Sequence, residues 1–159
     1  MNPHQPHIEI KKEITGGDFS TAGGISSELK NILQQAGLPP QFIRRVVIAT
    51  YEAEMNVVIH AYRGTFFTSI YPDHVQVVLE DEGPGIPDVD LAFQEGFSTA
   101  PAHIREMGFG AGYGLSNMRK CSNQIDIQTQ VGKGTKVMMT FWLDSSRLSS
   151  SLPDQKEMS

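Results

Sequence analysis

"VQVVLEDEGPGIPD", residues 75–88, runs as a Val-rich strand through Asp81 and then breaks on a Gly-Pro-Gly turn. Valine-rich runs fit a pleated, half-buried surface, so the first half predicts a strand. The second half poses a choice. Asp and Gly together are ordinary turn chemistry. They also suit a ligand site, because a carboxylate accepts hydrogen bonds and glycines let a flat molecule approach the backbone. Both readings stand on this stretch alone.

Working outward, "TFFTSIY" precedes the strand across the turn "PDH", so the two predict a hairpin. "PHIEIKKEI" alternates apolar and polar and predicts a first strand over residues 7–14. "STAGGISSELKNILQQAGLPP" reads as a helix through Ile25, Leu29, Ile32 and Leu33, closed by Gly37 and Pro39. A longer helix is expected from Pro40 to Tyr62, with Gly64 as its stop. Residues 84–112 are the least regular part, and a long irregular stretch in a compact domain is often a lid, here placed at about Phe93 to Gly112. "GLSNMRKCS" predicts a short helix from near Gly114. "QIDIQTQ" and "TKVMMTFWL" predict two strands joined by "VGKG". Hairpin-linked strands and helices in the order β-α-α-β-β-α-β-β imply a two-layer α/β sandwich of the α+β class, with helices on one face.

The chain has 159 residues and a net charge of −5, which fits one domain and gives no basic footprint for nucleic acid. No apolar run is long enough to span a bilayer, so membrane association is not expected and a cytoplasmic location is. Cys121 stands alone, and the five histidines lack metal-ligand spacing. Three segments are expected: a flexible start at 1–6, a domain over 7–143, and a disordered Ser-rich tail at 144–159.

Two further stretches carry chemistry. "ATYEAEMNVVIHAY" (residues 49–62) is apolar nearly all round, yet Glu52, Asn56 and His60 recur at four-residue spacing. A helix places them on one stripe, with Ala49 and Ala53 leaving room beside them and Glu54 toward the far side. The stripe reads as a solvated edge or as the wall of a site, and Asn is a poor helix former but a good oxygen ligand for Mg²⁺. "MGFGAGYGLSNM" brings Gly108, Gly110, Gly112 and Gly114 up to a helix N-terminus, where backbone N–H groups and the helix dipole suit phosphate. A flexible linker is the other reading of that run. Neither a P-loop nor a dinucleotide fingerprint is present, and "GKGT" at 132–135 is by itself a hairpin turn.

In their order, "EAEMN", "DEGPGI", "GFGAGYGL" and "GKGT" closely resemble the N box and the three glycine boxes of the GHKL (Bergerat-fold) ATP-binding superfamily. The likeness spans roughly residues 7–143 and is strongest to bacterial anti-sigma-factor and stressosome switch serine kinases. It implies the Bergerat fold, a mostly antiparallel mixed sheet with helices on one face. It implies ATP and Mg²⁺ as cofactors. By resemblance, Asp81 accepts the adenine amino group, Gly85 leaves space for the base, Thr135 supports the adenine side, and Gly83 and Ile86 belong to the same cofactor-binding set. Gly108, Gly110, Gly112 and Gly114 would wrap the phosphates, with Ala111, Tyr113 and Leu115 among the cofactor-binding residues. Asn56 matches the Mg²⁺ ligand, Glu52 the general base, and His60 a group near the phosphates.

The activity implied is transfer of the ATP γ-phosphate to a Ser or Thr of a small STAS-type anti-anti-sigma partner, regulating transcription by partner switching. A sigma factor or phosphatase, ADP and a second copy of the chain are further partners implied; direct nucleic-acid binding is not. Two alternatives stay open: a nucleotide-gated binding module with little turnover, and a detached histidine-kinase-type catalytic domain. The chain departs from many kinases at Tyr113, where they carry Leu.

Overall fold

The computed structural model of the chain describes residues 5–96, Ala102 and 113–143. The strands are β1 (Ile8–Thr15), β2 (Arg63–Ile70), β3 (His74–Glu82), β4 (Gln124–Gln130) and β5 (Gly134–Trp142). They form one sheet in the order β1-β2-β3-β5-β4. Among the described residues all four pairings are antiparallel, where a mixed sheet was expected. The helices are α1 (Gly24–Gln35), α2 (Pro40–His60), α3 (Val89–Ala92) and α4 (Gly114–Cys121).

Period-two alternation sets which face is buried. Phe66, Val77, Leu79, Val137, Met139 and Phe141 point inward and are nearly inaccessible to solvent. Leu29 and Leu33 of α1, Val46 and Val57 of α2, and Met118 of α4 meet them from the helical layer. α2 crosses β1, β2, β3 and β5, with α1 and α4 packed against it. Its N-terminus follows the sequence signal, with Pro40 at the first helical position.

The other end of α2 corrects an expectation. The helix stops at His60, and Gly64 is a residue of β2 opposite Asp81. A Cβ on Gly64 would lie 3.0 Å from Val57 Cγ1, so the glycine lets strand and helix pack closely. The stop comes from the loop after β1. Gly17 N–H donates to the Val58 carbonyl at 2.8 Å, and a Cβ on Gly16 would fall 1.8 Å from the Ala61 carbonyl oxygen. α3 also appears inside the stretch expected to be irregular, because Asp88 caps it by accepting from Leu91 N–H at 3.0 Å.

Candidate functional site

The two halves of the candidate site lie at different points along α2. At one, the turns after β3 and before β5 are laced together. Gly83 N–H donates to the Lys133 carbonyl (3.0 Å) and Gly132 N–H to the Pro84 carbonyl (2.9 Å). Ile86 N–H donates to Thr129 Oγ1 at 2.8 Å, and Thr129 Oγ1 lies 2.9 Å from Thr135 Oγ1. Thr135 N–H donates to Asp81 Oδ1 at 3.1 Å. Two glycines make this approach possible. A Cβ on Gly134 would sit 2.0 Å from the Asp81 carbonyl oxygen, and one on Gly85, which has φ +75°, 2.6 Å from that of Gln130.

Asp81 is half-buried, and among the described residues only its Oδ1 is hydrogen-bonded. Burial raises its carboxyl above the ordinary carboxylate range, and the Thr135 N–H draws it partly back. A cleft of about 430 Å³ at this end of β3, β4 and β5 touches Asp81, Thr129 and Thr135 but is also lined by Glu80, Gln128 and Lys136 of the outward rows, so it reaches the open face of the sheet. The turn reading of "DEGPGI" holds: the turn secures one carboxylate oxygen, and among the described residues the other accepts no hydrogen bond.

The second half is the polar stripe. Gly114, the first residue of α4, packs directly on it: a Cβ there would lie 3.1 Å from Glu52 Oε2 and 3.3 Å from Asn56 Oδ1. Glu52 Oε1 accepts from Asn117 Nδ2 at 3.5 Å. Loss of hydration raises the Glu52 carboxyl above its usual range, opposed by the Asn117 hydrogen bond. His60 ends the helix, exposed at the surface and without a hydrogen bond or ion pair among the described residues. Its imidazole is partly stripped of water by neighbouring atoms, which pushes it below its ordinary value. The structure thus joins Glu52 and Asn56 but does not tie His60 to them.

Gly83 lies against Ala61, where a Cβ would sit 3.1 Å from Ala61 Cα. Asp81 is therefore beside the end of α2, and Glu52 is roughly 13 Å up the same helix at 1.5 Å per residue. An elongated ligand laid along α2 could touch both.

Of the glycine-run residues, Gly108, Gly110, Ala111 and Gly112 lie outside the described residues, as does most of the expected lid. Tyr113 is exposed, Gly114 faces the stripe, and Leu115 is buried in the core. The described start of the lid region is seated on α4: Arg119 stacks over the Phe93 ring at 4.4 Å and Lys120 pairs with Glu95.

Three residues escaped the sequence reading. Thr129 is the polar member of an inward row whose other members are Ile125 and Ile127. Asn117 lies one turn beyond Gly114. Glu54, set aside as off the stripe, is 2% exposed and accepts from Ile25 N–H (3.2 Å) and Ser26 N–H (3.3 Å) at the start of α1. It falls on the same side as Ile43, Val46, Thr50 and Val57, and a lone carboxylate on that stripe was the available signal. Glu54→Ala strips one buried and one part-buried N–H group of their acceptor and is expected to cost about 1–3 kcal/mol in urea denaturation. A change under a few tenths would deny it that capping role.

Residues 19–141 match the histidine kinase-like ATPase domain family. The chain is 25% identical over 118 residues to a serine/threonine-protein kinase, RsbT, of Bacillus subtilis (strain 168), covering 72% of this chain and 83% of that protein. It is 32% identical over 110 residues to an anti-sigma F factor of Caldanaerobacter subterraneus subsp. tengcongensis, covering 66% of this chain and 73% of that one. Among solved structures, the RsbU and RsbW domains of a Mycobacterium tuberculosis protein align with TM-score 0.55 at 16% identity, over 84% of this chain and 32% of that one. A histidine kinase domain from a blue-light activated kinase of Erythrobacter litoralis aligns with TM-score 0.50 at 18% identity, over 85% of this chain and 64% of that one. This chain therefore spans less than two thirds of either solved chain, and both likenesses speak to the fold.

Proposed function

The chain belongs to the histidine kinase-like ATPase domain family, and from that premise we propose how its site is used. The protein is a serine/threonine protein kinase of the anti-sigma-factor type, acting on a protein partner in partner switching. ATP is its substrate. Asp81 Oδ2 accepts the adenine amino group while Oδ1 stays on Thr135 N–H, with Gly83, Gly85 and Ile86 beneath the base. The phosphates run along α2 toward Gly114, and the backbone of residues 108–114 receives them.

The observation that carries this reading is the convergence of Glu52 Oε2 and Asn56 Oδ1 on Gly114. Among the described residues, no group of three His, Cys, Asp or Glu side chains is placed to hold a metal ion. A single amide oxygen beside a phosphate site fits Mg²⁺, which draws most of its ligands from phosphate and water. Asn56 would hold it; bound there, it would spread the charge of the phosphates. Glu52 accepts the proton of the incoming Ser or Thr hydroxyl as that oxygen bonds to the γ-phosphorus and the bond to the β-phosphate oxygen breaks, releasing ADP. The acceptor is a STAS-type protein, with a sigma factor or phosphatase as the competing partner.

The test is incubation with γ-labelled ATP and a candidate STAS partner, followed by mass spectrometry of that partner. Phosphoserine or phosphothreonine is expected. Tight nucleotide-dependent binding without label would instead make this a nucleotide-gated binding module. Label on histidine would make it a histidine-kinase catalytic domain.

A second copy of the chain fits the open face of the sheet. The register lines up Lys11, Phe67, Val78, Met138 and Asp126 across the strands from β1 to β4. The row is apolar at its centre and oppositely charged at its ends. A two-fold axis along the strands sets Lys11 against Asp126 of the partner subunit and Val78 against its own copy. Val78→Lys is expected to give a monomer in sedimentation velocity at concentrations where the wild type is dimeric. A wild type that stays monomeric at tens of micromolar contradicts this pairing.

A further inference from the structure

We infer that Asn117 is a positioning residue for the general base: its side-chain amide holds Glu52 Oε1, so that Oε2 is presented to the incoming hydroxyl. This rests on the reading of Glu52 as the base. The two carboxylate oxygens have different surroundings. Oε1 accepts from Asn117 Nδ2 at 3.5 Å. Oε2 lies against Gly114, where a Cβ would sit 3.1 Å from it, beside Asn56 Oδ1, and among the described residues it accepts no hydrogen bond. Gly114 and Asn117 are three residues apart, so one face of α4 meets both oxygens of the Glu52 carboxylate.

The clamp stands on rigid structure. Leu115, Ser116 and Met118 of α4 are buried, and Asn117 N–H donates to the Tyr113 carbonyl at 2.8 Å. Asn117 itself is half-buried, so the fold does not depend on its side chain for core volume. A Glu side chain has three rotatable bonds, and a base must lie within hydrogen-bond reach of the proton it takes. Without a second contact, the carboxylate would spend much of its time turned away from the acceptor. No ion pair restrains Glu52 among the described residues, which leaves Asn117 as its described side-chain partner.

The test replaces Asn117 with Leu, similar in size but without a donor, and measures transfer to the partner under steady-state conditions. Asn117→Leu is expected to lower kcat by ~10-fold, with KM for ATP within about twofold of wild type. Asn117→Gln, which keeps the amide on a longer arm, should recover part of the loss. In the Glu52→Gln background the same Leu change should have no further effect, because no base is left to position. Equal kcat for Asn117→Leu and wild type would overturn the inference, as would an equal loss in both backgrounds. Should Asn117→Leu fail to fold, Asn117→Asp, which sets a second carboxylate in place of the donor, must show the same background dependence. The two readings fail separately: full activity in Glu52→Gln removes the base itself, whereas an inactive Glu52→Gln beside a fully active Asn117→Leu removes only the clamp.

Discussion

Glu52→Gln is expected to bind Mg-ATP about as well as wild type while transferring phosphate ~10²-fold more slowly or worse. Gln keeps the shape of Glu and can still accept from Asn117 through its amide oxygen. It cannot take a proton. The separation of binding from transfer is what distinguishes a base from a wall of the pocket, since a wall residue moves both or neither. Asn56→Ala should behave in the opposite way, weakening the Mg²⁺-dependent part of binding, because it removes an oxygen ligand. Calorimetry for affinity and single-turnover transfer for rate decide the matter. A Glu52→Gln enzyme with full transfer would remove Glu52 from the mechanism. Glu54 cannot serve as the neutral control for this experiment, because it caps α1.

Asp81→Asn should weaken ATP binding by roughly 1–3 kcal/mol, the cost of a buried donor facing a donor. The structure explains why Asn is a poor replacement. An amide has one acceptor oxygen, and Thr135 N–H already occupies that position at 3.1 Å. The NH₂ group must then point where the adenine amino group arrives. The same argument favours ATP over GTP, whose base presents a carbonyl oxygen toward the Asp81 carboxylate. Equal affinities for the two nucleotides, or an unaffected mutant, would remove the adenine assignment.

Features written in local periodicity were legible in the sequence. Alternation placed β1, a Val-rich run and the turn "PDH" placed β3 and β2, and four-residue spacing put Glu52 and Asn56 on one line of α2. What local pattern does not encode is which distant backbone arrives alongside. Gly64 looked like a helix stop because Gly commonly ends helices, but its task is to clear Val57 from within a strand. Asn117 lies 65 residues from Glu52, and Glu54 lies 29 from Ile25, so both partnerships depend on how the helices dock. Thr129 was hidden for a related reason: a Thr in a strand is unremarkable until its hydroxyl is seen to accept from Ile86 N–H across a gap of 43 residues. Asp81 and Thr135 were paired through the ordered set of motifs; their hydrogen bond supplies the physical link.

That bond lies at the end of the β3–β5 seam, the sheet's junction between segments 54 residues apart in sequence. Pairings of such separation carry a large loop-closure cost and are slow to form. The proposed adenine site at Asp81 would exist only once this seam has formed, so ATP held there would bind the folded chain alone. Mass action follows: at a hundred times its dissociation constant, a ligand of the folded state alone adds about 2.7 kcal/mol to the unfolding free energy. For a regulator of this size that is a sizeable share of a typical domain's stability. On the proposed binding, saturating nucleotide would therefore also slow proteolysis, which acts on the unfolded chain.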